Sequence, residues 1–169
     1  MNLTELIELL KSANNAEAID KHREEIAELI PIVRIMFNYD QKNHAHQYDL
    51  WMHSLNVVAN FPRDCDDDML YLAALFHDIG KPESQCRGAK EDDPNMHYYG
   101  HPKKSLEIVD TAIIPSLDQK GYEISCMDIK RLRYYVEYHD DHVSKKLKHI
   151  NRHMKMVSFD EFQKLMLLQ

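Results

Sequence analysis

An all-α fold is predicted for this chain of 169 residues, and three observations predict it. Apolar residues recur at three- and four-residue intervals through most of the sequence, the period of a helix with one buried face. No segment sustains the period-two alternation of a half-buried strand. Glycine is scarce at 4 of 169 residues, against roughly 7 % in ordinary chains, so few sharp turns interrupt the helices. Hydrophobic residues at 44 % and charged residues at 29 % exclude disordered and low-complexity classes. A chain of this length buries enough surface to stand without disulfide staples.

Leu3, Leu6, Ile7 and Leu10 form a first short apolar face that ends at Asn14-Asn15. A second helix is predicted over 16–37, with Ile19, Ile26, Leu29, Ile30 and Val33 inside. Pro31 breaks or kinks it, because proline lacks an N–H and its ring crowds the preceding turn. Residues 38–48 are polar and read as a loop. Asp49 caps a helix over 50–61, which Pro62 stops. Asp64 or Asp66 opens the next helix, over 69–76, with acidic residues at the end the macrodipole favours. Gly80, Pro82 and the polar run to Tyr99 form a long loop, within which 83–93 reads as a lid or an ordinary connection. Pro102 stands at a first helical position, followed by Leu106, Ile108, Val109 and Ile113. Ser125 with Asp128 is a capping signal before a helix over 129–139, and Ser158 with Glu161 repeats it before Phe162, Leu165 and Leu168.

Lys and Arg total 21 against 28 Asp and Glu, a net charge of −7 with neutral His. That balance disfavours general nucleic-acid binding through phosphate charge. RNA stays open only through a local patch such as the segment of Lys145, Lys146, Lys148, Arg152 and Lys155. His149 and His153 lie in that segment, four residues apart, and read as part of a solvated basic face rather than a metal site. Cys65, Cys86 and Cys126 are widely spaced with no C-x-x-C, so neither a disulfide framework nor a Cys-rich zinc site is expected. The opening Met1-Asn2-Leu3-Thr4-Glu5 lacks the basic and apolar regions of a signal peptide. No apolar run approaches the ~20 residues that span a bilayer. A cytoplasmic protein without a membrane partner is the expectation.

Eleven histidines are the anomaly in this composition. His53 interrupts the apolar helix Leu50-Trp51-Met52-His53-Ser54-Leu55. His77-Asp78 ends the run Leu72-Ala73-Ala74-Leu75-Phe76. His101 begins a helix after Gly100, and His139-Asp140 ends the run Tyr134-Tyr135-Val136-Glu137-Tyr138. A polar ring on an apolar face costs free energy unless paired. One such histidine reads as a satisfied core residue; four, two of them followed by Asp, call for a common explanation. Imidazoles and carboxylates from separate helices are how a helix bundle holds a divalent metal. Neighbours on a helix differ by about 100°, but at a helix end both members of a His-Asp pair can turn toward one ion or two close ions.

The order His53, His77-Asp78, His101, His139-Asp140, with His-Asp-Ile-Gly-Lys at 77–81, resembles the HD superfamily of metal-dependent phosphohydrolases. The run from Leu29-Ile30-Pro31-Ile32-Val33 through Gln41 to His46-Gln47-Tyr48-Asp49-Leu50-Trp51-Met52-His53 is similar to the entry into the HD region of bacterial CCA-adding tRNA nucleotidyltransferases. Tyr99-Gly100-His101-Pro102-Lys103-Lys104-Ser105 is similar to the Gly-His segment that follows there. The likeness covers about 28–168, so the chain is expected to be a single HD domain, 1–169, a bundle of about six to eight helices with 1–27 as a helical lead-in. The nucleotidyltransferase head of those enzymes has no counterpart here, and the polymerising activity is not carried over. The family often supplies another Asp on a later helix, and the chain ends at Leu167-Leu168-Gln169 about where it would come. Asp140 is expected to fill that role, or else the ligand set is one carboxylate short.

The resemblance implies hydrolysis of a small phosphorylated, nucleotide-like substrate. The metal set it implies is His53, His77 and Asp78, with His101 and His139 as second-site ligands or phosphate-facing donors and Asp140 as a further metal ligand. Iron, manganese, nickel, zinc or magnesium would serve, since a divalent ion on imidazole and carboxylate acidifies water near neutral pH. Asp78 and Lys81 are the catalytic candidates, Lys81 being placed to meet a phosphate oxygen; a solvated loop lysine is the alternative for it. His44 and His46 are placed to rim the pocket, and His46 is carried as a substrate-binding candidate beside Lys81. A different class also fits: a metal- or nucleotide-binding protein with little turnover and a sensing or structural role.

Overall fold

The computed structural model describes residues 1–45, 47–142 and 146–169. The first helix, α1 (Leu3–Ser12), starts with a reciprocal cap in which Asn2 and Glu5 each accept from the other's backbone N–H at 2.8 Å. The helix expected over 16–37 is divided into α2 (Ala16–Asp20), α3 (Arg23–Leu29) and a 3₁₀ segment, Pro31–Met36. Ile30 leaves the helical region at φ −132°, ψ 84°, the restriction that a following proline imposes. Next, α4 (Leu50–Ala59) starts where Asp49 accepts from the Met52 N–H at 2.8 Å.

The cap of α5 (Asp68–Phe76) is Asp67, not Asp64 or Asp66. Lys11 draws Asp66 outward at 2.6 Å, while buried Asp67 accepts from the N–H groups of Met69 and Leu70 and, on its other oxygen, from the Tyr135 hydroxyl. The loop expected after Gly80 contains a short helix, α6 (Lys81–Ser84), because Pro82 fits a first helical turn. It also contains a hairpin, β1 (Cys86–Arg87) antiparallel to β2 (Met96–His97), with Cys86 opposite His97.

Beyond it, α7 (His101–Ile108) runs through a π-turn, Val109–Ile113, into α8 (Ile114–Gln119). Pro115 accounts for the widened turn, since its ring displaces a carbonyl of the turn before it. Ser125 caps α9 (Cys126–Tyr138); then come α10 (Leu147–Met154) and α11 (Phe159–Leu165), which opens on the expected Ser158–Glu161 capping box.

The fold is all-α. Eleven α-helices occur among the described residues, more than six to eight, because prolines and tight turns divide runs that share one apolar period.

At the centre lies α5, whose residues Met69 to Phe76 are all buried, as a helix that is apolar all round must be. It packs between α4 and α9, with α1 across one side. Leu70, Leu72, Leu75 and Phe76 are each fully buried, worth roughly 1.5–3 kcal/mol apiece relative to exposure. Trp51 on α4 is also fully buried, and its indole N–H donates to Asp20 at 2.7 Å. The consequence for function is positional: the C-terminal ends of α5 and α9, the middle of α4 and the first turn of α7 meet in one place. Among the described residues, no helix is long and apolar enough to cross a membrane.

Candidate metal centre

Four helices each deliver one imidazole to the carboxylate of Asp78. Its Oδ2 lies 3.3 Å from His53 Nε2, 3.2 Å from His77 Nε2 and 2.8 Å from Lys81 Nζ. Its Oδ1 lies 3.0 Å from His101 Nε2 and 3.3 Å from His139 Nε2. His77, Asp78, Lys81, His101 and His139 are buried, and His53 is half-buried at the edge. Two potential ligand groups result, His53-His77-Asp78 and Asp78-His101-His139, sharing the aspartate.

The local chain explains this convergence. His77 and His139 each sit one residue past a helix, and each points Nδ1 at the carbonyl three residues back, Ala74 and Val136, both at 2.7 Å. His101 does the same with Tyr98 at 2.9 Å. Gly80 brings α7 in. A Cβ there would lie 2.4 Å from Ser105 N and 2.7 Å from the His101 carbonyl oxygen, both backbone atoms, so only glycine lets the end of α5 touch the start of α7. The Gly80 N–H donates to Ser105 Oγ at 2.9 Å and fixes that contact.

The hydrogen-bond arithmetic of the cluster is decisive. A neutral imidazole has one N–H. In His77, His101 and His139 that N–H is on Nδ1, because only a donor can face a carbonyl. In the neutral form each Nε2 is then a lone pair directed inward. His101 Nε2 and His139 Nε2 are 3.0 Å apart, and both face a carboxylate oxygen. Acceptors this close repel one another unless a proton or a metal cation lies among them.

The metal-free cluster meets that requirement with protons. Burial pushes the His77 imidazole below its usual value, reinforced by His139 and His53 and opposed by Asp78. Burial alone would raise Asp78, but its interaction with His77 and hydrogen bonds from His101, His139 and His53 outweigh it and hold the carboxyl well below the usual range, so without a metal shared protons occupy the space that a cation would take. Neutral imidazole and ionised carboxylate are the forms that bind metal. The donor set therefore fits a divalent ion.

Lys81 is not a solvated loop lysine. Its ammonium is buried between Asp78 and Gln41 Oε1, at 2.8 and 2.9 Å, and lies 5.7 Å from the Tyr98 ring centroid. Asp140 lies at the rim, 54 % exposed in its side chain, with its carboxylate 3.7 Å from His142, and belongs to neither ligand group. His44 is exposed; His46 lies outside the described residues. His153, expected on a solvated face, is fully buried.

Sequence reading gave no role to Gly80, Ser105 or Tyr98. The glycine inside His-Asp-Ile-Gly-Lys was the available signal for the first.

The groups open into a cavity of about 500 Å³ that also reaches Tyr99 and Gly100. Clefts beside α9 and α10 are as large, about 570 and 710 Å³, but neither gathers the His–Asp groups, so chemistry rather than volume marks the site. A family model described as HD domain matches residues 43–158. No solved structure matches the chain.

Proposed function

The chain belongs to the HD-domain family, a superfamily of metal-dependent hydrolases, and on that premise we propose that it hydrolyses a nucleotide or related phosphoester. The observation that carries this reading is the meeting of inward-facing Nε2 lone pairs on one buried carboxylate, at the floor of a cavity sized for a small ligand. His53, His77 and Asp78 would hold one divalent ion, and Asp78, His101 and His139 a second. Iron, manganese, nickel, zinc or magnesium suits these nitrogen and oxygen donors. When bound, such ions supply a nucleophile at neutral pH and positive charge beside the phosphoryl oxygens.

The chain's own residues do the rest. The carbonyls of Ala74, Tyr98 and Val136 hold three rings in the ligating tautomer. Lys81 offers a buried, positively charged donor to a phosphate oxygen, and a desolvated charge acts with less screening than one in water. Gln41 holds that ammonium in place. Gln41 also supports the narrower kinship with the HD region of CCA-adding nucleotidyltransferases, in whose entry segment it falls. In this reading the whole chain, 1–169, is one HD domain, and Asp140 would join an ion only by swinging away from His142.

A second reading, a metal- or nucleotide-binding protein with little turnover, draws on one observation: Asp78 is the only carboxylate in either ligand group among the described residues. A metal-screened assay on phosphomonoesters and 2′,3′-cyclic nucleotides separates the two. Metal-dependent release of phosphate or ring opening is expected. Metal-dependent binding without turnover of any ester would leave the second reading.

A further inference from the structure

Tyr99 is 71 % exposed, whereas Tyr98 beside it is buried. The exposed ring is nonetheless held. Its plane lies 4° from that of His97, with centroids 5.3 Å apart, an offset-stacking separation. His97 Nε2 is in turn 2.7 Å from Asp93 Oδ2. A Cβ on Gly88 would lie 2.7 Å from that carboxylate oxygen and 2.8 Å from His97 Nε2, so the bare glycine makes room for the pair.

The hairpin carrying these groups is pinned to the loop ahead of α4. Met96 N–H donates to the Lys42 carbonyl at 2.9 Å, Asn43 Nδ2 donates to the Met96 carbonyl at 3.1 Å, and the Tyr98 hydroxyl donates to the Gln41 carbonyl. Gly100 then turns the chain at φ 76°, in the left-handed region, into His101 of the ligand cluster. Two residues span at most about 7 Å, so the Tyr99 ring stands on the wall of the His–Asp cavity, one face on His97 and the other open.

We propose that Tyr99, backed by His97, is a stacking platform for the planar base of the substrate. The site would then take nucleotides in preference to phosphoesters of sugars or polyols. The placement of the phosphate on the His–Asp cluster rests on the hydrolase reading above. Stacking uses the π-face that every base has, so discrimination among bases is weak and discrimination against a missing base is strong.

The test uses the 169-residue chain, metal-loaded, with adenosine 5′-monophosphate and ribose 5-phosphate as probes. Trp51 is the single tryptophan and is fully buried, so Tyr99→Trp adds one exposed indole whose emission reports on stacking. We expect saturable quenching by adenosine 5′-monophosphate and none by ribose 5-phosphate. By calorimetry, Tyr99→Ala weakens the nucleotide roughly ten- to a hundredfold, leaves ribose 5-phosphate within about twofold, and Tyr99→Phe restores binding. Equal affinity of the wild type for both probes, or equal loss of both in Tyr99→Ala, overturns the platform and leaves the hydrolase reading intact. Nucleotide binding that depends on Tyr99 with no ester hydrolysed supports the platform and removes the hydrolase reading instead.

Discussion

His139 and His153 are both buried, both near the end of a helix and both close to an aspartate, yet their rings are bonded in opposite ways. His153 has each nitrogen matched: Nδ1 lies 2.9 Å from the Tyr134 hydroxyl and Nε2 lies 3.1 Å from Asp141 Oδ2. Tyr134, Tyr138 and Phe162 wall its ring at centroid distances of 5.8, 5.3 and 5.4 Å. It ties α10 to α9 and α11. His139 has Nδ1 matched to a carbonyl, but its Nε2 meets another imidazole nitrogen and a carboxylate. Burial of a histidine therefore says little by itself. What separates a structural ring from a candidate ligand is whether its second nitrogen finds a partner of the complementary kind.

The largest break in this contrast is Asp78→Ala. It removes the only atom group common to both ligand sets, and the account expects hydrolysis to fall by at least about a thousandfold, with metal affinity falling on the order of a hundredfold or more. Kinetics on the best ester and metal analysis of the purified variant check both. Lys81→Ala comes next: loss of a charged donor costs about 2–4 kcal/mol in the transition state, while bound metal is retained. Unchanged catalytic efficiency would make Lys81 only a counter-charge for Asp78.

His153→Ala acts on the other side of the comparison. It leaves the buried Tyr134 hydroxyl without its partner, leaves Asp141 only Arg152, and opens a cavity, a loss of about 2–4 kcal/mol in folding stability. Denaturant melts should show that loss while metal content per folded chain is unchanged.

These variants also mark how far the sequence could be read. The Ser158–Glu161 box, the Asp49 cap and the break at Pro31 are local signals, and each appears in the fold where it was expected. The cap of α5 was misplaced among adjacent aspartates, because the choice is made by Lys11 and Tyr135, distant in sequence. The charged neighbours Arg152 and Lys155 make His153 look like a surface residue in the sequence, while its partners Tyr134 and Asp141 lie outside its own helix. His53, His77, His101 and His139 are legible as a group because four polar rings on apolar runs, two of them followed by Asp, call for a common explanation. Asp140 joins them in the sequence by adjacency to His139 and by the family's expected later Asp, and it belongs to neither ligand group. The direction of a side chain just past a helix is set by the turn that follows, which periodicity does not contain.

The smallest expected effect is on pH. Folded metal-free protein holds His77 below its ordinary value, so the unfolded chain takes up its proton first, near pH ~6.5. Unfolding then binds protons, so stability falls as pH drops through that range, and His77 adds no slope above it. Asp78, held low in the folded state, adds a further loss as pH falls past the ordinary carboxylate range near ~3.9. With metal the decline is steeper, since protons and metal compete for the same nitrogens. Melting curves across an acid series, with and without metal, measure both slopes. A metal-dependent stabilisation that stays constant well below the imidazole range would remove the histidines from the ligand set.

The most direct test of the central claim is titration of metal-stripped protein with manganese(II), iron(II) or zinc(II) at neutral pH, followed by calorimetry. The account predicts saturable binding to the folded chain, weakened by His53→Ala and by His139→Ala and unaffected by His153→Ala at a temperature where that variant stays folded. No saturable binding of any of these ions, or binding that survives both His53→Ala and His139→Ala undiminished, would contradict it.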